Sequence, residues 1–159
     1  MKASHFSNDC VEFISLLNKY GVKFVIVEGE AVIYHGYVRL TGDVDFFYER
    51  SGQNCIRLYN ALQEFWEDDI PGGLSIHDLE ARGYFIQFGI PPNRIDLMNH
   101  IDGVSFKDVW ENRVIEQVDY KQKKIAVYFI GLKELIKNKS STSRPKDQED
   151  LKYLKSNLM

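Results

Sequence analysis

The run from Val27 to Phe47, VEGEAVIYHGYVRLTGDVDFF, sets Asp43 and Asp45 one residue apart among aliphatic and aromatic neighbours. Side chains of a strand alternate between faces, so both carboxylates point to one side while Val44 and Phe46 point to the other. Two carboxylates leaving water together repel each other, and burial disfavours each ion unless something of opposite charge compensates it. A hard divalent cation fits that need. Mg²⁺ takes oxygen ligands and is commonly held by one or two carboxylates, with phosphates and water completing its shell. Mn²⁺ is the alternative. A third carboxylate, Asp96, lies between Ile95 and Leu97 in RIDLM, on another predicted strand, and would allow a two-metal arrangement. An Asp-x-Asp pair is also found on solvated strand edges, and a single Asp at a strand end is often just polar surface. The order of elements around the three residues is what points to a site.

Working outward, Val22–Val27 (VKFVIV) is β-branched and apolar, as a buried strand requires. Upstream, Val11–Tyr20 carries apolar residues at helical spacing and stops at Gly21. Ala31–His35 reads as a short helix between Gly29 and Gly36, and Asp43–Tyr48 as the next strand. Ser51 caps a helix from Gly52 to about Trp66. The stretch WEDDIPGGLSIHDLEARG is loop with one or two helical turns. Tyr84–Ile90 and Arg94–Met98 form a hairpin across Pro91, Pro92 and Asn93. A mixed segment with Val114 and Val118 leads to a strand at Ile125–Phe129. Helices follow at Leu132–Lys139 and from Pro145, where proline suits the first turn. The expected architecture is α+β: a mixed sheet with helices packed on it, in one domain over residues 1–159.

The 159 residues suffice for one sizeable core. A net charge of -3 gives no global field that would hold nucleic acid, so any such contact must be local. No apolar run approaches the roughly 20 residues of a membrane span, and the N-terminus lacks a signal-peptide core. Cys10 and Cys55 sit in separate predicted helices and read as reduced thiols, which suits the cytoplasm.

The run VEGEAVIYHGYVRLTGDVDFF, together with Asp96 and the tail IKNKSSTSRPKDQEDLKYL, resembles the nucleotidyltransferase superfamily with the DNA polymerase β-like fold. The resemblance is to its minimal bacterial members, including abortive-infection and toxin-type proteins, and spans most of the chain. It implies a fold of mixed sheet and helices, and transfer of a nucleoside monophosphate from an NTP to an acceptor hydroxyl on an RNA end, a protein or a small molecule. Asp43, Asp45 and Asp96 are the implied catalytic and metal-binding residues. Gly29, Arg39, Thr41, Lys137 and Lys139 are the candidate nucleotide-binding residues.

One position departs from the pattern. Where the family carries paired small residues before the short helix, this chain has Glu28-Gly29. A glutamate there brings bulk and negative charge toward a polyphosphate, so Glu28 turns away, weakens binding, or disables the site. The rival reading is therefore a catalytically impaired binding module, or a toxin–antitoxin component that works through a protein partner such as a cognate antitoxin. Arg39 either meets a phosphate or pairs with a structural carboxylate. Lys133, Lys137, Lys139, Arg144 and Lys146 form either a solvated face or a set of phosphate contacts. His35 reads as a packed or hydrogen-bonded histidine, and Ser140–Ser143 as a mobile loop beside the site.

Overall fold

A computed structural model describes residues 1, 5–37 and 39–158. In chain order the elements are α1 (Asn8–Lys19), β1 (Phe24–Val27), α2 (Glu28–Tyr34), β2 (Asp43–Tyr48), α3 (Gly52–Phe65), a 3₁₀ turn (Pro71–Gly73), α4 (Ile76–Glu80), β3 (Phe85–Phe88), β4 (Arg94–Met98), α5 (Phe106–Glu111), β5 (Val114–Tyr120), β6 (Lys123–Phe129), α6 (Leu132–Ser140) and α7 (Pro145–Ser156). The strands form one sheet in the order β3-β4-β2-β1-β6-β5. Its pairings are mixed: β2 runs parallel to β4 and β1 to β6, whereas β1/β2, β3/β4 and β5/β6 are antiparallel.

Serines start four of the helices. Ser7, Ser51, Ser75 and Ser105 each accept a hydrogen bond from a backbone N–H of the first turn, satisfying a donor that the helix leaves unpaired. At α4 the cap is reciprocal, since Asp78 accepts from the Ser75 backbone. Helices cover both sheet faces, and strand alternation divides the core accordingly. Phe24, Ile26, Phe46, Tyr48 and Leu97 face α1 and α3, where Phe13 meets Phe46 and Phe65 edge to face. Val25, Val27, Phe47 and Met98 face the opposite way, onto α2, α5, α6 and α7. Asp43 and Asp45 share the phase of Phe47, and Asp96 that of Met98, so all three aspartates open on this second side.

Asn54 shows how the first half of the sheet is fastened. Buried in α3, it donates to the carbonyls of Lys23 and Glu49 and accepts from the Lys23 N–H. One amide thus ties α3 to the start of β1 and the end of β2. Two elements go beyond the sequence reading. The mixed segment around Val114 is β5, a full partner of β6, and α5 precedes it. The short helix α2 also begins earlier than expected, at Glu28 and directly after β1. Cys10 and Cys55 are buried and free, and His35 is hydrogen-bonded, its Nε2 2.8 Å from the Ile130 carbonyl. No helix among the described residues is long and apolar enough to cross a membrane.

Candidate active site

The parallel pairing of β2 with β4 brings the carboxylates together. In that register Asp45 lies opposite Asp96, and Asp43 opposite Arg94. One ligand oxygen from each of Asp43, Asp45 and Asp96 lies within 4.8 Å of the others. Asp45 is 5 % exposed and Asp96 2 %, while Asp43 is half-buried. The arrangement follows from the sequence patterns DVD and RID: two strands side by side, each with charged residues on alternate positions, present a small square of charge on one face.

Arg94 is the fourth corner. Its Nε donates to Asp96 Oδ1 at 2.9 Å and its Nη2 to Asp96 Oδ2 at 3.1 Å, and Nη2 also donates to Asp43. The guanidinium fork matches two carboxylates in a way an ammonium would not. Thr41 donates to Asp43 Oδ1 at 2.9 Å, and Gln87, opposite Asp96 on β3, donates to Asp96 Oδ2 at 3.4 Å.

These neighbours separate the three acids electrostatically. Burial works to raise Asp43, but the Thr41 hydrogen bond and the Arg94 charge outweigh it and hold its pKa below the ordinary carboxylate value. Asp45 has no such cation and is pushed up to about 9, first by burial and then by the charges of Asp43, Asp96 and Glu28. Asp96 is also raised by burial, with Arg94 opposing. A raised folded pKa contributes stability that is complete below about pH 4 and is lost as pH rises through the folded value. Metal-free protein is therefore expected to lose stability between about pH 4 and about 9, and Asp45→Asn to flatten that slope. Thermal melts in EDTA across this range check it; an undiminished slope in the variant would place its origin elsewhere.

The aspartates line a cleft of about 590 Å³. Gly29 and Glu28 form one wall. Gly29 is packed so closely that a Cβ there would sit 2.7 Å from Thr41 Oγ1, so the glycine lets the Thr41 loop close on the start of α2. The far wall carries Arg144 and Lys146, at the beginning of α7, and Phe85, His100 and Ile101 complete the rim. His100 stands 3.4 Å from Asp102.

The remaining sequence candidates lie beside the cleft. Lys139 is 1 % exposed, and its Nζ is shared by Glu28 at 2.7 Å, Asp147 at 2.7 Å and Asp150 at 3.4 Å. Arg39 pairs with Asp150 at 3.1 Å, the structural-carboxylate alternative, so its guanidinium is directed to α7. Lys137 is exposed on α6 and does not line the cleft. The Ser140–Ser143 run, expected as a mobile loop, is fastened at several points: Ser140 and Ser141 bond back to α6 carbonyls, and Thr142 donates to Asp147 at 2.6 Å. Burial would raise Asp147, but hydrogen bonds from Lys139, Thr142 and Arg144 hold it below the usual carboxylate range.

Sequence reading missed Arg94 and the pair Asp147 and Asp150. The signal for Arg94 was present, because it stands two residues before Asp96 and so shares its face. Asp147 bonds near neighbours in sequence, Lys139, Thr142 and Arg144, whereas Arg39, the partner of Asp150, lies far away in sequence.

A family model described as "Nucleotidyltransferase of unknown function (DUF6036)" matches residues 8–156. That span runs from the first residue of α1 to the last of α7 and includes every site residue above. Comparison with proteins of curated description found no match.

Proposed function

Because the chain belongs to this family of nucleotidyltransferases, we propose that the cleft transfers a nucleoside monophosphate from an NTP to an acceptor hydroxyl, with Asp43, Asp45 and Asp96 at its centre. The observation that carries the reading is the convergence of three carboxylates from two parallel strands within 4.8 Å. An all-oxygen donor set of this charge suits Mg²⁺ or Mn²⁺ and would be a poor fit for softer metals. Bound there, the cation supplies charge neutralisation for the phosphates, the main requirement of phosphoryl and nucleotidyl transfer.

The chain's own residues have distinct tasks. Asp43 and Asp45 hold the cation. Asp96, raised by burial, receives the proton of the acceptor hydroxyl as its oxygen forms a bond to the α-phosphorus and the bond to the departing pyrophosphate breaks. Thr41 and Arg94 orient Asp43, and Gln87 and Arg94 orient Asp96, so the carboxylates need not reorganise during the reaction. Gly29 lets Thr41 close on the start of α2, where it holds Asp43. Arg144 and Lys146 meet the triphosphate. Lys139 and Arg39 serve the same end indirectly, by holding α7 against the cleft.

A second reading is supported by Glu28, which stands on the cleft wall with the same sign as a polyphosphate: a module that binds but does not turn over, acting through a protein such as a cognate antitoxin. Two buried, free cysteines fit action in the cytoplasm under either reading. Calorimetry with each of the four NTPs, with and without Mg²⁺, distinguishes them. An enzyme is expected to bind at least one NTP in a metal-dependent way and to release pyrophosphate. Metal-independent or absent binding would reject the transferase reading.

A further inference from the structure

We infer that the Glu28 carboxylate is an intramolecular competitor of substrate phosphate: it occupies the anion position between Lys139 and Arg144, and an incoming polyphosphate must displace it. The proposal rests on the nucleotidyltransferase reading and concerns the regulation of the same cleft.

Four observations carry it. Glu28 is the first residue after β1 and lines the cleft beside Gly29 and the three aspartates. Its carboxylate already has the partners a phosphate oxygen would seek: Oε2 lies 2.7 Å from Lys139 Nζ, and Oε1 lies 3.8 Å from Arg144. Its backbone is held at φ 58, a left-handed conformation that favours glycine, so the chain keeps a glutamate here against its conformational preference. Finally, the surrounding charge is balanced so that Glu28 can leave. Glu28, Asp147 and Asp150 face Lys139, Arg39 and Arg144. With Glu28 engaged this network is neutral, and with Glu28 swung into solvent it carries one positive charge. Lys139 keeps Asp147 and Asp150 as partners in that state, so the movement does not strand a buried cation.

The loose end of the arrangement is Arg144. Its side chain is 66 % exposed and its contact with Glu28 is long, whereas Asp147 holds its Nε at 2.7 Å. A phosphate entering from the side of Lys146 meets Arg144 first, then replaces Glu28. The affinity the cleft displays is thus its intrinsic affinity reduced by the work of displacing its own anion. No bond to substrate is made or broken in this exchange.

The test uses inorganic pyrophosphate in EDTA, so that the aspartate cluster and its cation take no part. Binding to the parent, Glu28→Gln and Glu28→Gly is measured by calorimetry at low salt, with thermal melts alongside. Glu28→Gly relieves the left-handed backbone and so guards against a variant that fails to fold. Both variants are expected to bind pyrophosphate about tenfold more tightly than the parent, a gain that shrinks as salt is raised. Adding Arg144→Ala to Glu28→Gln is expected to remove the gain. Equal affinity in parent and variants would overturn the proposal. Mg²⁺-dependent NTP binding by the parent, and its loss in Asp43→Asn, reports on the transferase reading separately, so either idea can fail while the other stands.

Discussion

Asp45→Asn is expected to lower nucleotidyl transfer, measured as kcat/KM at saturating Mg²⁺, by about a hundred- to a thousandfold, the scale typical of removing a group that stabilises developing charge. Asp45 is the most buried of the pair on β2 and lies directly opposite Asp96. Unlike Asp43, it receives no hydrogen bond from Arg94 or Thr41, so the described residues leave it protonated until a cation binds. The same substitution is expected to leave metal-free melting unchanged below about pH 4 and to raise it above that, because the parent fold keeps Asp45 protonated up to about 9 whereas the unfolded chain ionises it. Asp43→Asn is the less clean variant, since it also costs the ion pair with Arg94. Steady-state assays with a melt of each protein decide the matter. Retained transfer would remove Asp45 from the site, and a large fall in melting temperature would make the pair structural.

The second large effect falls on stability. Lys139→Met is expected to cost about 3–5 kcal/mol, because it strips the shared cation from a buried network and leaves three acids facing two cations. For a chain of this size that corresponds to a fall in melting temperature of roughly 10 °C. Asp150 would retain Arg39, and Asp147 would retain Thr142 and Arg144, but Glu28 would keep just the distant Arg144. Urea denaturation, with an unchanged m-value, is the measurement. A loss under about 1 kcal/mol would mean that water reaches the network and screens it like a surface pair.

The legible part of the molecule was the part governed by short patterns. The strand Asp43–Tyr48 was bounded correctly, because alternation and flanking turns mark it from both sides. Strand periodicity assigned Asp43 and Asp45 to one face, whereas Asp96 was only a candidate on another strand until the parallel register of β2 with β4 set it beside Asp45. The edge strand β5 was harder to see, since VIEQVDY mixes charged and apolar residues and buries little besides Val118. Helix α5, with six residues, is too short to show a full helical stripe. Arg94 was visible in principle, two residues from Asp96, but was read as the edge of a strand. The fate of Lys139 was not visible at all. A lysine in a helix rich in lysines reads as surface. Its burial depends on α7 returning to the start of α2, more than a hundred residues earlier in the chain.

That distance in sequence orders events during synthesis. The strands carrying the three aspartates emerge from the ribosome before α6 and α7, so the acidic face of the cleft is made first and its basic wall last. Until Asp147 and Asp150 have been translated, Lys139 has Glu28 as its acidic partner in the network, and Arg39 lacks the carboxylate that seats it. A nascent chain can thus gather its negative charges while the wall that would grip a polyphosphate is still incomplete. Helix α7 thus supplies, in one step, the partners of Lys139 and Arg39 and the Arg144 and Lys146 wall of the cleft.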